Sequence, residues 1–213
     1  MSNDALISDL SAGLVAVRRR SVWRETTLLV ALAAIELALF LGIGLMRPDM
    51  GQVIDTPYMI WKLASLAAVA AVGGATAIVS LSPTRSPRPG LLAATCLAAV
   101  ALIAGLFVEP FVASSGAPHG GLPHAYGPLC ALSIIVLSLP MLGVLAVLMR
   151  RGASTHPQGT SLAAGLAAGS WGALVFAFCC PSNDPLYVMV WFTAGCVVVG
   201  GLARWLLPRR FRL

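Results

Sequence analysis

The sequence predicts an all-α membrane protein of six transmembrane helices with both termini in the cytoplasm. Three observations carry that expectation. Only 10% of the 213 residues are charged and 58% are hydrophobic, giving a mean hydropathy of +0.88. A soluble domain carries about a quarter charged residues to cover its surface. The apolar residues also arrive in long blocks, not at amphipathic spacing, and the bilayer is the natural solvent for such blocks.

The six blocks run over 25–46, 57–80, 90–109, 128–149, 159–178 and 187–207. Each is close to the roughly 20 residues that a hydrocarbon core of about 30 Å requires. Arg18, Arg19, Arg20 and Arg24 before the first block resemble the start of a signal peptide. That block is too long for such a peptide's apolar region, and no small-x-small cleavage site follows Leu45, so it reads as a retained span.

Orientation follows from the basic residues. Arg18, Arg19, Arg20, Arg24, Arg85, Arg88, Arg150, Arg151, Arg204, Arg209, Arg210 and Arg212 fall on one side, leaving Arg47 and Lys62 on the other. The positive-inside rule makes the rich side cytoplasmic. The net charge of +6 is therefore a topology signal, with no direct nucleic-acid partner expected.

The chain divides into a cytoplasmic amphipathic arm (1–24), the six-helix transmembrane domain (25–207) and a basic cytoplasmic tail (208–213). In the arm Leu6, Ile7, Leu10, Leu14 and Val17 fall at helical spacing, with Asp4, Ser8, Asp9 and Ser11 largely off that stripe. Asn3 or Asp4 is placed to cap it. Such a helix suits the membrane surface or a cytoplasmic partner.

Between the first two spans Arg47-Pro48-Asp49 forms a turn in which the arginine can pair with the aspartate. The segment 82–89 is too proline-rich for a helix. The longest outer loop is expected at about 110–127. In the fifth span Ser161, Gly165 and Gly169 recur every four residues, with Ala168 and Gly172 one step around. Small residues at that period let helix backbones approach closely in lipid. Pro140 should kink the fourth span.

Topology sorts the five cysteines. Cys96 and Cys196 lie within spans and are expected to be buried small apolar residues. Cys130, Cys179 and Cys180 share the outer face, which is exposed to an oxidising periplasm. A structural disulfide between Cys130 and Cys180 and a redox- or metal-responsive thiol pair are both open readings. His119 and His124 are auxiliary candidates, because imidazole and thiolate together bind soft or borderline metals. Their spacing matches no standard zinc motif.

Glu36 is the ionisable residue expected near the bilayer midplane, and such a carboxyl is a functional candidate by default. The economical expectation is a protonated group bonded to a polar partner on a neighbouring span, with Lys62 near the outer surface and out of reach. The sequence has no Walker loop, dinucleotide glycine motif, His-Glu-x-x-His or nucleophile elbow, and neither an enzyme nor a cofactor is expected.

The chain resembles the NrsF-like family of bacterial inner-membrane proteins, negative regulators of the extracytoplasmic-function sigma factor sigma F. The likeness begins with the short arm and its arginines and with Arg47-Pro48-Asp49. It continues through Leu139-Pro140 and Arg150-Arg151-Gly152-Ala153. It is most specific in the run Gly165 to Gly172-Ala173, then Cys180-Pro181, Asp184, Trp191 and Pro208-Arg209. The resemblance implies a membrane-bound anti-sigma factor holding its sigma factor inactive at the cytoplasmic face. It also implies that Cys130 and Cys180 respond to heavy-metal or oxidative stress, with Cys179 an extra thiol departing from the pattern. The competing reading is a small multi-pass transporter or channel using Glu36.

Overall fold

The computed structural model describes residues 7–8, 11–12, 21–114, 126–152, 154–182 and 184–209. Seven helices follow Ser21 among them: α1 (Val22–Gly42), the short α2 (Met50–Val53), α3 (Pro57–Ser80), α4 (Arg88–Ser114), α5 (Gly127–Arg151), α6 (Pro157–Ala177) and α7 (Pro185–Arg209). All except α2 contain a stretch long and apolar enough to cross a bilayer. The chain is a multi-pass membrane protein. Residues 7–8 and 11–12 of the arm are helical and exposed, while Asn3, Asp4, Leu6, Asp9, Leu10, Leu14 and Val17 lie outside the described residues.

The boundaries differ most from those expected at the first and third spans. The first span covers 22–42 instead of 25–46, because the chain turns at Gly44, whose φ of +80° is left-handed. Glycine takes that conformation without steric cost. The helix α4 begins at Arg88 and includes Pro89, since the first turn of a helix needs no N–H from proline. It also runs on to Ser114, inside the segment expected as loop. At Pro140 the helix α5 continues unbroken.

The sequence places proline and polar residues where helices must start. Thr56 precedes Pro57, and its hydroxyl accepts from the Met59 N–H at 3.3 Å. Asp184 precedes Pro185, and its carboxylate accepts from Leu186 and Tyr187 N–H groups at 2.9 and 3.3 Å. Each satisfies backbone donors that lipid could not.

The helix α6 stands at the centre, packed most extensively against α7, α3 and α5, with α4 outside on α3 and α7. The helix α1 touches α3, α5 and α6 lightly. The small residues of α6 cause this arrangement. A Cβ on Gly165 would lie 2.8 Å from the Gly200 Cα of α7, and one on Gly172 would lie 2.7 Å from the Ile134 carbonyl of α5. The expected stripe is therefore a packing surface, used on two sides of the helix.

Two groups of buried residues line this central helix. One joins Ala163, Ala164, Ala167 and Ala168 to Leu145, Leu148, Val199 and Ala203, toward the arginine-rich end. The other joins Ala173 and Ala177 to Tyr58, Cys130, Ile134, Cys180, Tyr187 and Phe192, toward the arginine-poor end. Gly172→Leu should destabilise the bundle by at least the roughly 1–3 kcal/mol typical of overpacking. Gly201→Leu should be nearly neutral, because a Cβ there meets nothing within 4 Å. Thermal unfolding in detergent reads both.

Candidate functional site

The arginine-poor ends of α3, α5, α6 and α7 converge on a buried thiol cluster. Cys130 sits in the first turn of α5, started by Pro128. Cys179 and Cys180 follow α6 directly, in a turn where their N–H groups both donate to the Phe176 carbonyl at 3.0 Å. The Cys130 thiol contacts the Tyr187 hydroxyl at 3.4 Å and interacts with the Cys180 thiol. Both cysteines are buried, Cys179 is half-buried, and all are free thiols. Burial, and then the neighbouring charge of Cys180, pushes the Cys179 thiol up from its ordinary range.

A clamp closes this end. The Arg47 Nε and Nη2 groups donate to the two Asp49 oxygens at 2.6 Å each, the pairing expected from the sequence. Arg47 also reaches across the bundle. Its backbone N–H donates to the Phe178 carbonyl at 3.1 Å, and its Nη1 donates to the Cys180 carbonyl at 3.4 Å. Tyr58, buried at the start of α3, donates its hydroxyl to the Ser182 carbonyl at 2.9 Å. The turn holding Cys179 and Cys180 is thus fixed from both α3 and the α1–α3 connection. Pairing with Arg47 holds the Asp49 carboxyl below the usual carboxylate range.

Lys62 is 1% exposed and packed inside the bundle, roughly 8 Å along α3 from Pro57. Its Nζ lies 5.0 Å from the Phe192 ring centroid and 5.6 Å from that of Tyr58, with no hydrogen-bond partner. Aromatic faces that are part of a packed core pull an ammonium inward.

The other candidates separate from this cluster. Glu36 is half-buried on α1, past the middle of the shortened span, and its Oε2 accepts from the Trp171 indole N–H of α6 at 2.9 Å. This is the expected polar partner on a neighbouring span. Cys96 is exposed on the peripheral α4, not buried, because α4 turns that face away from the bundle. Cys196 is half-buried, bonds with Ser170 and lines an apolar cavity of about 420 Å³ with Trp61 and Lys62. His119 and His124 lie outside the described residues. Among the described residues no three His, Cys, Asp or Glu side chains converge as a metal site.

The family model for the negative regulator of sigma F, NrsF, matches residues 10–213. The chain belongs to the NrsF family. It is 30% identical over 214 residues to the anti-sigma-F factor NrsF of Caulobacter vibrioides, covering 97% of this chain and 99% of that protein. It is 28% identical over 204 residues to the probable anti-sigma-F factor NrsF of Azospira oryzae, covering 93% of each. No solved structure matches the chain at a significant level. The resemblance read from the residues is thereby confirmed.

Of the residues singled out for this NrsF chain, the structure brings together Cys130, Cys180 and Cys179, and adds Arg47 as their clamp. Reading the sequence missed Lys62, Tyr187 and Trp171. Lys62 carried a usable signal, since a lysine inside an apolar span is itself a functional candidate.

The clamp gives two expected outcomes. Asp49→Asn should cost under about 1 kcal/mol, since the carboxylate is 46% exposed and solvent screens it. Because the folded Asp49 titrates below its unfolded value, its contribution is complete above about pH 4 and fades in stronger acid. The variant should therefore lose that acid limb of the stability–pH curve. Arg47→Ala should cost more, on the order of 1–3 kcal/mol, because it also frees the buried Cys180 carbonyl. Trp171→Phe should cost a similar amount by leaving Glu36 without its donor, on the order of 1–3 kcal/mol.

Proposed function

We propose that this chain is an inner-membrane anti-sigma factor that holds an extracytoplasmic-function sigma factor, of the sigma F type, inactive at its cytoplasmic face. It releases that partner under heavy-metal or oxidative stress, through oxidation of the Cys130 and Cys180 thiols. The observation that carries the anti-sigma role is membership of the NrsF family across residues 10–213. The sensing role is supported by the meeting of two free thiols from separate helices in one buried cluster.

The helix α6 supplies the coupling. It carries Cys179 and Cys180 just beyond one end, and at the other its start is tied by a 2.8 Å bond between the Ser154 and Thr160 hydroxyls. A disulfide at Cys130 pulls on the end of a helix that touches every other span-length helix, either lightly or closely. The arginine-rich ends of the bundle move in response. Differential binding of the sigma factor to the two forms is what the mechanism requires. The arm, residues 1–24, and the arginine-bearing loops are the partner surface on this reading.

Replacing both Cys130 and Cys180 with serine should abolish the stress response of sigma-dependent transcription, and an unchanged response contradicts the sensing role. Pull-down from membranes should recover a sigma factor with the intact chain and lose it when residues 1–24 are deleted. Equal recovery from both would place the partner surface elsewhere.

A further inference from the structure

The cavity of about 420 Å³ between α3, α4, α6 and α7 has no part in the thiol chemistry, and its walls are almost entirely apolar. That size and lining are those of a small-molecule site. Along α7 the wall runs from Val188 to Arg204, roughly 24 Å at about 1.5 Å per residue. Leu102 of α4 and Val197 and Gly201 of α7 line the cavity yet are exposed on the outside of the bundle, so it opens toward lipid between those helices. Several polar groups on the wall are already engaged. The Trp61 indole N–H donates to the Ala101 carbonyl at 2.9 Å, the Ser65 hydroxyl donates to the Lys62 carbonyl at 3.2 Å, and Cys196 bonds with Ser170. Arg204, at the far end, is exposed and can reach the membrane surface. Lys62 differs. It is buried on the cavity wall, and its Nζ, 5.0 Å from the Phe192 ring on the same wall, makes no hydrogen bond.

An ammonium taken out of water costs several kcal/mol unless a counter-charge accompanies it. The carboxylates nearest in the fold are used elsewhere. Asp49 is held by Arg47 through two bonds, Asp184 accepts two backbone N–H groups of α7, and Glu36 accepts from Trp171. We propose that the cavity binds a long-chain fatty acid, its carboxylate paired with Lys62 and its tail lying along α7 toward Arg204. One ammonium balances one negative charge, and a carboxylate accepts its hydrogen bonds in a short, charge-assisted geometry. A phospholipid headgroup would bring further polar atoms to a place with few donors to meet them. The Tyr58 hydroxyl donates to the Ser182 carbonyl, and the Tyr187 hydroxyl is engaged with Cys130. A neutral head, such as an alcohol, would leave the ammonium unbalanced. The mouth between α4 and α7 admits the tail from the bilayer, and the apolar wall receives it. Val188 and Phe192 pack both against this cavity and within the thiol cluster, so the two sites share a wall. The binding site does not depend on the anti-sigma reading.

The test uses the full-length chain in phosphatidylcholine nanodiscs, photolabelled with a diazirine analogue of palmitic acid and mapped by mass spectrometry. Labelling should fall on cavity-lining residues such as Leu102, Met189 and Val197, and excess oleic acid should suppress it. Oleyl alcohol has the same tail without the charge and should compete about tenfold more weakly or worse. Lys62→Met should lower the suppressible labelling by about tenfold or more, since the charge-assisted contact is lost. Arg204→Gln should stay within about threefold of the unaltered chain, because an exposed charge is screened. Labelling that oleic acid does not suppress, or that is unchanged in Lys62→Met, overturns the proposal. If Lys62→Met does not fold, the two competitors decide on the unaltered chain. Stronger competition by the acid supports the carboxylate pairing, and equal competition by acid and alcohol overturns it. Phosphatidylglycerol competing as well as oleic acid would assign the cavity to a phospholipid and overturn the fatty-acid assignment.

Discussion

The close approach of α6 to its neighbours is the constraint on which the rest of this bundle depends. In lipid there is no hydrophobic drive to bring helices together, so association rests on van der Waals contact and buried hydrogen bonds. The small residues of α6 supply the first at Gly165 and Gly172, where neighbouring backbones leave no space for a side chain. Larger residues there would push α7 and α5 outward. The cluster of Cys130, Cys180, Tyr187 and Phe192 draws on three of those helices and would disperse with them. The thiol site is thus a consequence of packing along the whole of α6.

The same packing makes α6 suited to carry a change from one membrane face to the other. Its ends are held at both faces, by the Arg47 clamp and the Tyr58–Ser182 bond at one and by the Ser154–Thr160 bond at the other. Interiors packed this tightly shift between discrete arrangements more readily than they deform. The helix α1 differs. It packs lightly and is tied to α6 by the Glu36–Trp171 bond, so it can follow a change at α6 without resisting it.

Much of this was legible in the sequence, for physical reasons that differ by feature. Six spans are readable because lipid demands length and apolarity of every crossing. The Arg47–Asp49 pair is readable because two residues of opposite charge flank a proline in a short turn. The close packing of α6 against its neighbours was readable from its glycine spacing, though its central position was not. The end of α1 was misplaced because Ile43, Leu45 and Met46 are as apolar as the span, and the left-handed turn at Gly44 has no hydropathy signature. Cys96 was misjudged because hydropathy does not distinguish a lipid-facing from a bundle-facing side of a uniformly apolar helix. The burial of Lys62 was not readable, because it depends on aromatic rings contributed by Tyr58 in its own helix and by Phe192, 130 positions later in the chain. The cluster needed tertiary structure to be seen, since Cys130 and Tyr187 are 57 residues apart.

The central claim is that the state of the thiols at one end of α6 sets the affinity for a sigma factor at the other end of the bundle. The most direct measurement compares one reconstituted preparation before and after peroxide treatment, titrating the sigma factor against each and then again after reduction. The account predicts that the oxidised form binds at least about tenfold more weakly, a coupling of about 1.4 kcal/mol, and that reduction restores the affinity. Equal affinity in the oxidised and reduced forms, with the Cys130–Cys180 disulfide verified in the first, would contradict it.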